Sequence, residues 1–320
     1  MDNINVNINK RNWNDINYGK TKKFLVLLDK STISKENERL AVQNFNKEGA
    51  TFKYSDGLIE FLFMVMIFFK LDFRKMQTFC FLFGSNLKIP TPDYTTINKR
   101  LHKLNLEQKY ISKHKKLLYI AMDGTGMLKT NRGEWLRYIH KKGKIKSING
   151  FIKLLISVDV DTQEICGFQV FDDSEGETKH MIDVLLKTIQ NKNKPIDVLF
   201  GDGSYSKYDI FEMLTEAGIK PIINIPKNAD LMIIQDMDKS RTRRRKMDTK
   251  IPIRTLVARE QLKDKDKWKK KNKYGRRWTV EFVFSAFKRL FGQAVISKKK
   301  KYLKNELTAK VNLYNLMKNC

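Results

Sequence analysis

Between residues 116 and 226 the hydrophobic pattern switches from strand-like to helical spacing and back. That alternation constrains the fold more than any other feature of the chain. KLLYIAMDGTG is an apolar run interrupted by one acid, Asp123. FIKLLISVDVDTQEICGFQVFD predicts two strands joined at the Asp-Thr-Gln-Glu turn. ETKHMIDVLLKTIQ is amphipathic at helical spacing, and PIDVLFGDGSY is a buried strand ending at Asp202. KYDIFEMLTEAG predicts a helix closed by Gly218, and IKPIINIP a further strand. The order β-β-β-α-β-α-β predicts an α/β layout with a mixed sheet, hairpin first and right-handed crossovers after it.

The region before this is different. Residues 1–50 are polar and rich in Asn and Lys. Residues 51–115 predict three helices: YSDGLIEFLFMVMIFFK, then DFRKMQTFCFLFG ending at Gly84, then YTTINKRLHKL with Asp93 as its cap. Prolines in SNLKIPTPD separate the second from the third. A polar, basic third helix suits a helix-turn-helix-like DNA reader, with Thr95, Thr96, Asn98, Lys99, His102 and Lys103 outward. An ordinary helical bundle with a solvated face has the same pattern. The apolar run FLFMVMIFF is nine residues long, about half of what a bilayer crossing needs. It predicts a buried helix, and with no secretory signal at the N-terminus the chain is expected to be cytoplasmic, without a membrane partner.

Charge narrows the function. There are 63 Lys and Arg against 35 Asp and Glu, a net of +28. Self-repulsion on that scale points to a polyanionic partner, nucleic acid before membrane surface. The basic stretches KSRTRRRKMDTK and KDKDKWKKKNKYGRR fall in a loop-rich insertion, about residues 227–273, placed before a final long helix. Three widely spaced cysteines make no zinc spacing, Cys80 reads as core, and His102, His114 and His140 offer no metal pattern. His180 reads as a solvated helix position.

Asp123 and Asp202 stand out because each interrupts or ends a strongly apolar strand. A carboxylate there is costly unless it is paired or binds a cation. The glycines of DGTG and GDGSY allow the backbone to leave the strand without crowding what sits there. Either acid alone reads equally as a turn Asp, but two on neighbouring strands suggest a shared cation with oxygen ligands, Mg²⁺ or Mn²⁺ rather than zinc. A third acid, Glu281, is isolated in YGRRWTVEFVFSAFKRLFG. At about 100° per residue, Tyr274, Arg277, Glu281 and Lys288 share a narrow stripe on the shoulder of an apolar face formed by Val280, Val283, Phe284, Phe287, Leu290 and Phe291. An Arg277–Glu281 surface pair accounts for two of the four. Trp278 reads as a packed core aromatic, with base stacking as the alternative.

Tyr274, Arg277, Glu281 and Lys288 match Tyr-x2-Arg-x3-Glu-x6-Lys without a gap, and the chain resembles the DDE transposases of prokaryotic insertion sequences that carry this signature. Asp123 in AMDGT and Asp202 in GDGSY resemble that group's first and second catalytic acids, and the likeness spans roughly residues 52 to 318. The interval of 79 residues from Asp202 to Glu281 is long and fits members with an insertion before the helix. The element order is similar to that of ribonuclease H-like folds. The resemblance implies an all-α N-terminal region and a ribonuclease H-like catalytic domain over residues 116–320. It also implies that Asp123, Asp202 and Glu281 hold divalent metal, Mg²⁺ with Mn²⁺ substituting. The implied reaction is cleavage at the element's ends and transfer of the freed 3′-OH to target DNA. Tyr274, Arg277 and Lys288, with Thr95, Lys99 and Lys103, would contact DNA. The implied partner is double-stranded DNA, terminal inverted repeats and target, engaged by a homodimer or larger assembly at the nucleoid. An inactive, domesticated DNA-binding descendant and another two-metal nuclease on the same fold are the rival readings. The first would be marked by loss of an acid, the second by absence of the Tyr-Arg-Glu-Lys stripe.

Overall fold

β1 (Leu118–Lys129) is the spine of a six-stranded mixed sheet. In this computed structural model, residues 35–87, 90–112, 117–129, 138–141, 144–147, 151–226, 252–297 and 299–319 are described. Residues 1–34 and the basic run KSRTRRRKMDTK lie outside them. β2 (Tyr138–Lys141) and β3 (Lys144–Ser147) form a separate antiparallel hairpin that the sequence pattern did not predict. β4 (Phe151–Asp159) pairs antiparallel with β1, and β5 (Ile165–Asp172) antiparallel with β4. β6 (Ile196–Gly201) and β7 (Lys220–Ile223) extend the other side in parallel, and β8 (Ala294–Val295) joins β1 near its end. The strand order β5-β4-β1-β6-β7, hairpin on one side and crossovers on the other, is the ribonuclease H-like arrangement.

Strand periodicity assigns the two faces. Leu118, Ile120 and Met122 point into a core shared with Leu199, Tyr205 and residues of two helices, α5 (Met181–Lys192) and α6 (Tyr208–Glu216). At Gly167 of β5 an added Cβ would lie 2.6 Å from the Val184 carbonyl, so only glycine lets α5 seat so closely. The expected insertion is not all loop. Residues 252–271 form α7 (Ile253–Lys263) and α8 (Lys265–Lys271), because Thr255, Ala258 and Gln261 of α7 and Trp268 of α8 find buried positions that the charge count conceals. α9 (Trp278–Phe291) then packs on β1 and β4 through Val280, Val283, Phe284 and Phe287.

At the end of β4, beside the start of β1, Lys192 is buried among Asp159, at 3.2 Å, Glu164 and the Ser112 carbonyl. Burial pushes the Glu164 carboxyl up, but bonds from Lys192 and Ser112 outweigh it and hold it below the usual range. Lys192→Ala would leave two buried acids without a cation. It is expected to destabilise this unit by about 3–5 kcal/mol, read as a shift in the urea unfolding midpoint.

Contacts divide the chain into two compact units, one from Gln108 to Leu307 and one comprising the described residues up to Glu107 with those from Thr308 onward. The second unit holds α1 (Glu36–Asn44), α2 (Asp56–Phe69), α3 (Phe73–Leu87) and α4 (Tyr94–Lys103), with the later part of α10 (Lys300–Lys318). Ser55 caps α2, and Asp93 caps α4 by accepting from the Thr95 and Thr96 amides. Cys80 is buried, as its apolar context predicts. α3 does not end at Gly84. That glycine is a buried position inside the helix, where packing outweighs a propensity cost of about 1 kcal/mol. Among the described residues no helix is long and apolar enough to cross a membrane.

Candidate active site

The topology of β1 leaves an opening beside Asp123. On one side β1 is paired with β4 along most of its length. On the other it pairs with β6 only as far as Ala121↔Phe200, and with β8 only from Leu128↔Ala294. Between those points the edge carries Asp123, Gly124 and Thr125 without a strand neighbour on that side among the described residues. Asp123 lies two residues past Ala121, and Asp202 two past Phe200. The parallel register therefore sets both acids level, Asp202 just past the carboxyl end of β6 and Asp123 in the middle of β1 where its neighbour stops, and ligands of open α/β sheets bind beyond such strand ends. Their odd–even position puts both on the face opposite the α5 core, the face that α9 covers. Asp202 also accepts the Ser204 amide at 2.9 Å and caps a 3-10 turn, so it is a turn Asp as well.

β1 does not leave the strand at DGTG but continues to Lys129. Gly124 serves a close approach instead: a Cβ there would fall 2.5 Å from the carboxylate of Glu177. Glu177 sits in a 3-10 turn before α5 and accepts a hydrogen bond from the buried Tyr205 hydroxyl at 3.2 Å. Sequence reasoning missed this acid. The glycine directly after Asp123 was the available signal, since it marks a backbone something must approach.

α9 brings the third acid. Glu281 accepts from the Arg277 guanidinium at 2.7 Å, and the same guanidinium reaches Asp123 at 3.8 Å. Arg277 thus bridges the first acid and the third. Lys288 points back along the helix, as helical side chains do, and donates to Thr125 Oγ1 of β1 at 2.6 Å. Tyr274 and Arg277 precede α9 in a 3-10 turn, so uniform helical arithmetic does not place them. Tyr274 is positioned instead by its hydroxyl, which donates to the Gly201 carbonyl at 3.3 Å, and by a ring contact with Trp268 at 5.5 Å. All four residues of the stripe reach β1, its neighbour strand or each other.

Burial pushes the Asp123 carboxyl up to about 6, reinforced by the negative charges of Asp202 and Glu177 and opposed by the Gly124 amide and Arg277. Burial likewise lowers the Lys288 ammonium. The donor set is all oxygen, the chemistry that suits a hard divalent cation. Among the described residues no group of three or more acids, histidines or cysteines is gathered closely enough to hold a metal as placed. Arg277 is the cation that Asp123 and Glu281 share in this arrangement.

Trp278 is 61% exposed and not a core residue. It precedes the first buried position of α9, Val280, and points away from the sheet, with the Arg277 guanidinium 5.1 Å from its ring. It borders an open groove of about 680 Å³ that Lys269, Lys270, Lys273, Arg276 and Arg277 line. His180 is not solvated: its ring stacks on Phe171 at 4.1 Å and meets Glu175 at 3.0 Å. In the helical unit Lys99 and Lys103 of α4 are exposed, whereas the Thr95 hydroxyl is donated to Asp93. These belong to a separate unit from the acids.

Residues 114–316 match the family model described as Transposase DDE domain, and the chain belongs to that family. A second model of the same description matches residues 20–132. It is a transposase, an enzyme of DNA transposition, and membership carries dependence on divalent metal. No curated protein matches the chain. Among solved structures it is similar to the piggyBac transposase synaptic complex with hairpin DNA, at 11% identity over 93% of this chain and 74% of that one, TM-score 0.41. It is also similar to the Mos1 mariner paired end complex with Mn, at 10% identity over 83% and 88%, TM-score 0.25. The fold assignment rests on the strand order itself.

Proposed function

We propose that the chain is the transposase of a prokaryotic insertion sequence of the Tyr-x2-Arg-x3-Glu-x6-Lys group, with Asp123, Asp202 and Glu281 as its catalytic, metal-holding acids. The observation that carries this reading is the level placement of Asp123 and Asp202 beside the open edge of β1, with Arg277 linking Asp123 to Glu281. Those three carboxylates would hold Mg²⁺, for which Mn²⁺ substitutes. Bound there, divalent metal supplies activation of the attacking oxygen and stabilisation of the leaving oxygen at phosphorus. The reaction is cleavage at the element's ends followed by attack of the freed 3′-OH on target DNA.

The chain's own groups position the phosphate. Arg277 offers a fork of donors suited to phosphate oxygens, and it would be freed from Glu281 if that acid held metal. Lys288, set on Thr125, delivers a second cation to the same edge. Tyr274 orients the turn that carries Arg277. The exposed Trp278 ring is available to stack on an unpaired base. Away from the acids, Lys99 and Lys103 contact backbone phosphates of the element's end, and Thr95 fixes the start of their helix. The partners are terminal inverted repeats and target duplex, joined by at least a homodimer in the cytoplasm at the nucleoid.

The test uses the DNA flanking the gene. Short inverted repeats bounded by a target duplication supply the substrate. Purified protein is expected to cut such an end in Mg²⁺ and to stop cutting on chelation. Cutting that survives chelation would refute the metal assignment.

A further inference from the structure

Glu177 belongs to neither the three-acid set nor the Tyr-Arg-Glu-Lys stripe, yet it touches elements that carry Asp123 and Asp202. Asp123 points to the α9 face of β1. The next residue, Gly124, turns its missing side chain to the opposite face, and the Glu177 carboxylate fills that space, with three of its atoms within 2.7 Å of where a Cβ would be. The same carboxylate accepts from the Tyr205 hydroxyl, and Tyr205 stands three residues after Asp202 with its side chain buried at 1% exposure. The Tyr205 ring also packs on Gly201, the last residue of β6. One half-buried acid thus clamps the middle of β1 to the carboxyl end of β6 from behind. Among the described residues it meets Gly124 and Tyr205 and no cation.

A carboxylate held without a cation beside two others is unfavourable as a purely structural element. A hydroxyl or amide would clamp the same two strands at lower cost. The negative charge has a use if a cation is bound on the far side of the strand edge, where it adds to the field of Asp123 and Asp202. We infer that Glu177 is an outer-sphere positioning residue of the metal site, fixing the separation of Asp123 and Asp202 through Gly124 and Tyr205 and raising the site's affinity for divalent cations. The inference rests on the metal-holding role proposed above for Asp123 and Asp202.

The test is Mn²⁺ binding by the full-length protein, measured by titration calorimetry and by loss of the free-ion paramagnetic resonance signal. Glu177→Gln keeps an acceptor oxygen for Tyr205 and removes only the charge. It is expected to weaken Mn²⁺ binding about tenfold, the usual lower range for an outer-sphere partner. Gly124→Ala pushes the flexible end of Glu177 aside and is expected to weaken binding comparably. Added to Glu177→Ala, it is expected to cost little more, because both remove one interaction. Asp123→Asn serves as the control. If it weakens binding while Glu177→Gln and Gly124→Ala stay within about twofold of the parent, the role of Glu177 is refuted and the metal site stands. If Asp123→Asn has no effect either, the metal reading itself fails. Circular dichroism melts identify unfolded variants, and should Glu177→Ala not fold, Glu177→Gln and Gly124→Ala decide.

Discussion

Asp202→Asn, Asp123→Asn and Glu281→Gln are each expected to lower strand cleavage by at least about a thousandfold, roughly 4 kcal/mol of barrier. The replacements are close in shape, so they separate charge from packing. Asp202→Asn would keep a side-chain oxygen for the Ser204 amide and so preserve the 3-10 turn. Glu281→Gln would keep an acceptor for Arg277. What each loses is an anionic ligand, and metal contributes several kcal/mol of charge stabilisation at a transferring phosphoryl group.

Asp123→Asn carries a second expectation. The Asp123 carboxyl is pushed up to about 6 by burial and by neighbouring acids, so the folded state disfavours the charge that catalysis requires. The Asp123→Asn protein should therefore melt no lower than the parent, and above it where unfolding is measured at neutral pH. Because the acids act as one unit, the double variant Asp123→Asn, Glu281→Gln should be no slower than the slower single variant. Cleavage by any of the three within tenfold of the parent, at equal DNA binding, would remove that residue from the catalytic set.

Much of this was legible in the sequence, for identifiable physical reasons. Strand period, the helix end at Gly218 and the Asp93 cap are local, and local rules recover them, whereas Gly84 reads as a helix end and is packed inside α3. Asp123 and Asp202 were conspicuous because acids are costly in apolar strands. The signature stripe located Glu281, although Tyr274 and Arg277 turned out to stand in a 3-10 turn. What escaped was non-local. Glu177 lies 53 residues after Gly124 in sequence, and only the packing of β1 against the turn before α5 brings them together. Trp278 looked apolar and hence buried, but its side chain points away from the sheet at the start of α9. α7 and α8 were concealed by their charge, because their buried residues include Thr255 and Gln261 rather than an obvious apolar stripe. Single-sequence periodicity registers hydrophobic stripes, not polar residues that packing happens to cover.

Association with DNA is expected to fall steeply with salt. The net charge of +28 is spread over the chain, but self-repulsion alone does not set the slope; phosphates neutralised at the interface do. Lys269, Lys270, Lys273, Arg276 and Arg277 line one groove. Lys269 is paired with Asp266, Arg276 with Asp161 and Arg277 with Glu281, which leaves Lys270 and Lys273 as the more readily offered charges. The five basic residues of the groove, with Lys99 and Lys103 exposed on α4 of the other unit, make seven cations that can meet phosphate. Six to ten such contacts cost about 10³ to 10⁵ in affinity between 50 and 200 mM salt. Fluorescence anisotropy on a short duplex checks this directly. Replacing both Lys270 and Lys273 by Gln should flatten the plot of log K against log salt by about two units, weakening all sequences alike. A slope unchanged by that pair, with the parent still salt-sensitive, would move the phosphate-binding surface elsewhere on the chain. An affinity indifferent to salt would mean that this groove and α4 do not meet phosphate at all.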